Sequence, residues 1–68
     1  MAKCTVSDNG SGQLGKYEFE GIPRVGETVA IQTEKGKPHK NYTVTRVSHR
    51  TAGPEFSSET FVFVDEEL

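Results

Sequence analysis

The stretch NYTVTRVSHR, residues 41–50, decides the fold, because its apolar residues first alternate and then slip by one position. Tyr42 and Val44 lie two residues apart and therefore share one face of an extended strand. Val47 has the opposite parity, and an uninterrupted strand would send its side chain to the other face. One extra residue restores the facing, so we predict a β-bulge or sharp bend near residues 45–46. A strand that bends in mid-course is typical of a small closed sheet.

Upstream, the segment FEGIPRVGETVAI, residues 19–31, is interpreted as a corner that leads into a strand. Pro23 disfavours a helical conformation in the residue before it, and Gly26 can take the positive φ that a tight turn needs. Val29 and Ile31 then share one face of a half-buried strand. Backbone geometry explains the proline and the glycines, so we assign this segment no chemical role.

The remaining segments complete an all-β pattern, since no window shows the i, i+3, i+4, i+7 spacing of a helix. We predict strands at residues 3–7 and 16–20, with a tight turn at Asn9-Gly10 between them. A polar turn with Gly36 at its tip precedes the stretch 41–50.

The last strand, within ETFVFVDEE, has an apolar run without alternation, so both of its faces need cover. Either the strand curls around the core of a barrel or its outer face meets another subunit. If the phenylalanines fill the barrel, the valines stand outside; the converse leaves two phenylalanines uncovered and favours a partner more strongly. We therefore predict self-association through Phe61, Val62, Phe63 and Val64. Phe56 is expected to anchor the loop before this strand, and the acidic residues after it are expected to form a loosely held tail.

The length of 68 residues allows a single domain, residues 1–68, with little buried surface. A lone cysteine, Cys4, excludes an intramolecular disulfide, so oligomerisation, with a homodimer as the expected state, would supplement the core. No apolar run is long enough to span a membrane, and the first residues lack the apolar segment of a secretory signal. A cytoplasmic protein with a reduced thiol is expected.

The net charge of −2 is unevenly distributed, with a basic middle and an acidic end. A nucleic-acid-binding face would use the basic residues of segment 35–50 with one aromatic residue for stacking. Its members would be Lys35, Lys37, Lys40, Tyr42, Arg46 and Arg50. The acidic overall composition argues against a dedicated nucleic-acid protein.

Other reactive residue types lack the context that chemistry needs. His39 and His49 do not have zinc-ligand spacing, and no residue near Cys4 marks an activated thiol. Glu18 and Glu20 lie on an outward strand face as solubilising charges, whereas acid–base catalysis needs buried carboxylates. We predict no catalytic residue, no metal site and no cofactor.

The order GETVAI, polar turn, NYTVTRV, loop and FVFV, over residues 17–64, resembles that of small SH3-like β-barrel proteins of bacteria and mobile elements, which are mostly uncharacterised. PRVGETV in particular is similar to the proline-then-glycine approach to a barrel strand in such proteins. The resemblance implies a small, strongly bent, five-stranded SH3-like barrel and supplies no activity. Plasmid-borne tetrameric dihydrofolate reductases are also SH3-like, but their Val-Gln-Ile-Tyr run has no counterpart in ETFVFVDEE.

These observations predict a non-catalytic interaction module that binds protein and associates with itself. One alternative is a nucleic-acid-binding module that uses the basic face of residues 35–50. The other is a small oligomeric enzyme whose pocket lies between subunits.

Overall fold

The computed structural model describes residues 2–55 and 57–67, which form one five-stranded sheet. The strands are β1 (Ala2–Asp8), β2 (Gly12–Phe19), β3 (Thr28–Ile31), β4 (Lys40–Arg50) and β5 (Glu59–Glu66). The sheet order is β2-β1-β5-β4-β3, with β1 and β5 parallel and every other pair antiparallel. The sheet curls strongly into a half-barrel, and the described residues include no helix. The prediction of an all-β, strongly bent, five-stranded fold is confirmed.

The predicted bulge in β4 is present. The register between β4 and β5 shifts between Val44 and Arg46, which leaves Thr45 as the extra residue. The Thr45 Oγ1 hydroxyl donates to the backbone carbonyl of Phe63 at 3.2 Å. Because of the shift, Val44 and Val47 both point to the inner, concave face of the sheet.

The core lies on this inner face and draws on four of the five strands. Its buried members are Cys4, Val6, Val29, Ile31, Tyr42, Val44, Val62 and Val64. Val62 and Val64 are each 0% exposed, so alternation sends Phe61 and Phe63 to the outer, convex face. Of the two arrangements considered for β5, the structure has the one that leaves the phenylalanines outside the core.

The corner is a tight turn, as predicted. The Glu27 N–H donates to the Arg24 carbonyl at 3.0 Å, and Gly26 has a φ of 92°. The turn is fastened to β4, because the Gly26 N–H donates to the Val44 carbonyl at 2.8 Å. Pro23 is buried beneath it.

Two boundaries differ from the predictions. β2 begins at Gly12 rather than at residue 16, because pairing with β1 draws in a glycine-rich segment that lacks a clear alternating pattern. The prediction of a loosely held acidic tail is wrong for the described residues: β5 continues to Glu66, and the Glu67 N–H donates to the Asn41 carbonyl at 2.9 Å. The proposed anchoring role of Phe56 lies outside the described residues.

Candidate binding surface

The outer face of the sheet carries a strip of two phenylalanines and two arginines, which we call the aromatic strip: Phe61, Phe63, Arg46 and Arg50. Strand pairing sets Arg46 directly beside Phe63. The Arg46 Cζ lies 5.1 Å from the Phe63 ring centroid, and the Arg50 Cζ lies 5.7 Å from the Phe61 ring centroid. Both distances suit cation–π contacts. The rings are half-buried, and each presents the rest of its surface to solvent.

One end of the aromatic strip is held by a polar network. The Arg50 Nη2 donates to Glu59 Oε1 at 2.9 Å, and the Thr5 hydroxyl donates to Glu59 Oε2. Thr5 is only 3% exposed, and this bond satisfies its buried hydroxyl. An ion pair this close to solvent contributes little stability. Its effect is to orient the guanidinium of Arg50 over the ring of Phe61.

Two of the four residues predicted to mediate self-association lie inside the core. Val62 and Val64 are fully enclosed in the core, so their side chains are inaccessible to another molecule. Phe61 and Phe63 lie on the accessible outer face. Lysine substitutions at the two valines would therefore test folding rather than association.

The predicted nucleic-acid residues do not form one surface. Tyr42 is 3% exposed in the core, so its ring is inaccessible to a base, and burial raises the pKa of its hydroxyl. Lys35 and Lys37 lie in the turn between β3 and β4. Arg46 and Arg50 lie six and ten residues after Lys40, in the other half of β4, which corresponds to roughly 20 and 33 Å of strand at about 3.3 Å per residue. The side chain of Lys40 lies 4.0 Å from Glu66, as a weak surface pair.

The length mismatch between β3 and β4 creates a feature that sequence reasoning missed. β3 pairs only with residues 40–43 of β4. Beyond the bonds between the corner turn and Val44, the segment 45–50 has no described strand on that side, and we call it the open edge of β4. β3 has 4 residues and β4 has 11, so most of β4 extends past its neighbour.

A shallow, open depression of about 500 Å³, which we call the groove, lies beside the open edge on the inner side. It is lined by Ile22, Pro23, Arg24, Val25, Val47 and His49. Ile22 is 45% exposed and Val25 is 64% exposed, and the two form one apolar patch in the lining of the groove. The corner, which the sequence analysis explained by backbone geometry only, thus also contributes exposed apolar side chains to the groove.

The thiol of Cys4 is buried, and desolvation raises its pKa, which makes it a poor nucleophile. His49 Nδ1 lies 3.4 Å from the Thr60 hydroxyl, on a different face from Glu59. Within residues 2–55 and 57–67, no three histidine, cysteine or acidic side chains are grouped as metal ligands would be. The same residues contain no helix long and apolar enough to cross a bilayer.

Comparison of the chain with protein-family models, curated proteins and solved structures finds no match. The resemblance to SH3-like proteins of bacteria and mobile elements therefore stays a prediction. What the structure establishes is the curled, five-stranded, all-β half-barrel.

Proposed function

We propose that this protein is a small, non-catalytic interaction module that binds protein and forms a homodimer through the aromatic strip. The observation that carries the proposal is the position of Phe61 and Phe63 on a sheet face with no second layer among the described residues. Aromatic and arginine side chains dominate the energetics of protein interfaces. Here the two phenylalanines lie on β5 and the two arginines lie on the neighbouring strand β4.

The aromatic strip suits a two-fold interface. In such an interface the same patch meets itself, so each guanidinium can lie over a ring of the other copy. Removing the exposed ring surface from water supplies the driving force. A domain of this size gains from association, since one small core stabilises it only modestly.

The proposal includes a cytoplasmic location and an origin in bacteria or mobile elements. The first rests on the lone free thiol of Cys4, since reduced cysteines are typical of the cytoplasm. The second rests on the resemblance to small SH3-like barrels.

The dimer is tested by light scattering across a concentration series on the wild type, Phe61→Ser and Phe63→Ser. We expect the wild-type mass to double at high concentration, and each serine variant to raise the dissociation constant about tenfold or more. Ala30→Ser is the matched control, because Ala30 is exposed on β3, away from the aromatic strip. A wild type that stays monomeric at every concentration would refute the dimer.

A further inference from the structure

We propose that the open edge of β4 binds an extended segment of a partner protein, which adds to the sheet as a sixth strand. The segment carries acidic residues on its outer-facing positions and apolar residues on its inner-facing positions. This inference rests on the proposed role as a protein-binding module, and it names the site and the chemistry of the partner.

The backbone of the open edge is oriented to pair with another strand. The N–H and C=O of Val44 bond to the corner turn at 2.9 and 2.8 Å and so point away from β5. In an antiparallel strand, every second residue directs its backbone N–H and C=O to the same side. The bulge adds one residue after Val44, so the next residues with this orientation are Val47 and His49. In the part of the chain that the structure describes, no strand pairs with these two residues on that side. Their backbone groups are available to an incoming strand, as in known cases of strand addition.

Side chains on the inner side of the open edge define the apolar positions of the partner. Val47 is half-buried and points into the groove, where the exposed Ile22 and Val25 line the facing wall. A residue that pairs with Val47 would project into the same groove, because paired residues on neighbouring strands share a face. An aliphatic side chain at that position would cover the exposed surface of Val47, Ile22 and Val25.

Charge on the outer side of the open edge defines the acidic positions. Arg46 and Arg50 are four residues apart and project from the same face, with Ser48 between them. Arg24 adds a third cation at the rim of the groove. The nearby carboxylate of Glu59 is engaged by Arg50 and Thr5. Because Arg50 and Glu59 form an ion pair, the positive charge of the edge comes from Arg46 and Arg24, although the whole chain has a net charge of −2.

A second carboxylate near the edge is also engaged. Glu27 Oε1 accepts from the Arg24 backbone N–H at 2.5 Å within the corner turn. It lies beside Val44, before the open edge begins. Opposite charges paired across strands are stabilising, so acids spaced by two or four residues match this edge.

The same charges disfavour a second copy of this edge as the occupant. A two-fold antiparallel pairing centred on Ser48 would set Arg46 of one copy opposite Arg50 of the other. Like charges directly opposite one another destabilise a strand pair. Arginines and a bulge also protect natural sheet edges from indiscriminate pairing, so the edge selects an acidic partner.

The probe for this site is an acetylated and amidated hexapeptide of alternating glutamate and valine. Amide chemical shifts of the ¹⁵N-labelled protein are followed during its titration, with the oligomeric state of each sample set by light scattering. We expect shifts centred on Val47 and His49. Arg46→Glu should weaken binding about tenfold, and Lys35→Glu, the same charge change in the turn between β3 and β4, should leave it unchanged.

A backbone variant tests the pairing itself. His49→Pro removes an N–H that faces away from β5, a substitution that edge strands tolerate, and we expect it to abolish peptide binding. If it unfolds the protein, the inferred direction of that N–H is wrong and the proposal fails with it.

Three results would overturn the proposal: no shift at the open edge, equal binding of a lysine-valine hexapeptide, or equal weakening by Lys35→Glu. Concentration-dependent shifts of the same amides in Phe61→Ser, which weakens the aromatic-strip interface, would show that a second copy occupies the edge. The two proposals fail separately. A dimer that ignores the peptide removes only the edge site, whereas a monomer that binds it removes only the aromatic-strip interface.

Discussion

Gly26 shows how one residue positions a larger feature. Its φ of 92° lies in the left-handed region, which residues with a side chain rarely adopt, and a Cβ there would meet no atom within 4 Å. Any cost of substitution is therefore conformational rather than steric. Through its N–H, Gly26 also fastens the corner to β4 beside the open edge.

Gly26→Ala should lower the free energy of unfolding by about 1–2 kcal/mol, because alanine pays for the left-handed conformation. Gly21→Ala is the matched control, since it also has open space around it and no positive φ. We expect the control to change stability by less than about 0.5 kcal/mol or to raise it slightly, through lower entropy of the unfolded chain. Urea unfolding curves measure both, and equal losses would contradict the argument.

At the scale of elements, the end of β5 is tied to the β3–β4 hairpin through one carboxylate. Glu67 Oε2 accepts from the Thr43 hydroxyl at 2.7 Å and from the Thr28 hydroxyl at 2.8 Å. These hydrogen bonds lower the pKa of Glu67, with that from Thr43 the larger cause. The Glu67 side chain, directly after β5, is thus hydrogen-bonded to both β3 and β4.

The lowered pKa sets a pH dependence with a defined sign. A carboxyl whose pKa is lower in the folded state stabilises the fold above the unfolded value of about 4.3, and the contribution is lost as pH falls through the folded value. Glu67→Gln should therefore reduce stability near neutral pH, and the difference from wild type should vanish in acid. Urea midpoints at about pH 7 and pH 3 test this. Glu20→Gln, on an exposed residue, should show no such convergence.

At the scale of the whole molecule, the domain is a single curled layer with its core on one side. Its radius of gyration is 12.2 Å and its extents are 40 × 25 × 23 Å, whereas a compact chain of this length would have a radius of about 11 Å. The eight buried apolar residues come from β1, β3, β4 and β5. Little reserve stability is expected from a core of this size.

A charged substitution on the inner face of β5 should therefore unfold the protein, whereas one on the outer face should be tolerated. Val62→Asp would place a carboxylate in the centre of the core, a cost of at least several kcal/mol that would unfold a domain of this size. Phe63→Asp would place the same group outside, beside Arg46, and the fold should persist. Circular dichroism and thermal unfolding measure whether each of the two variants is folded. A folded Val62→Asp with an unfolded Phe63→Asp would reverse the assignment of faces.

Several features were predictable from the sequence because they depend on neighbours along the chain. The slip in parity between Val44 and Val47 predicted the bulge, since facing is a local property of an extended strand. Pro23 and Gly26 predicted the corner for the same reason. The aromatic strip was only partly predictable: the apolar run contains Phe61 and Phe63 but does not say which of its residues face the core, and it does not place Arg46 and Arg50 beside them.

The sequence by itself determined that the chain forms short strands, where the longest one bends and where the corner turns. Only the tertiary structure decided that β1 and β5 pair in parallel and that Phe61 and Phe63 lie outside the core. It also decided that half of β4 has no described neighbouring strand on the side opposite β5. The reason is physical. Side-chain alternation is set by bonds between adjacent residues, whereas strand partners and buried faces depend on contacts between residues more than fifty positions apart, as with Cys4 and Thr60.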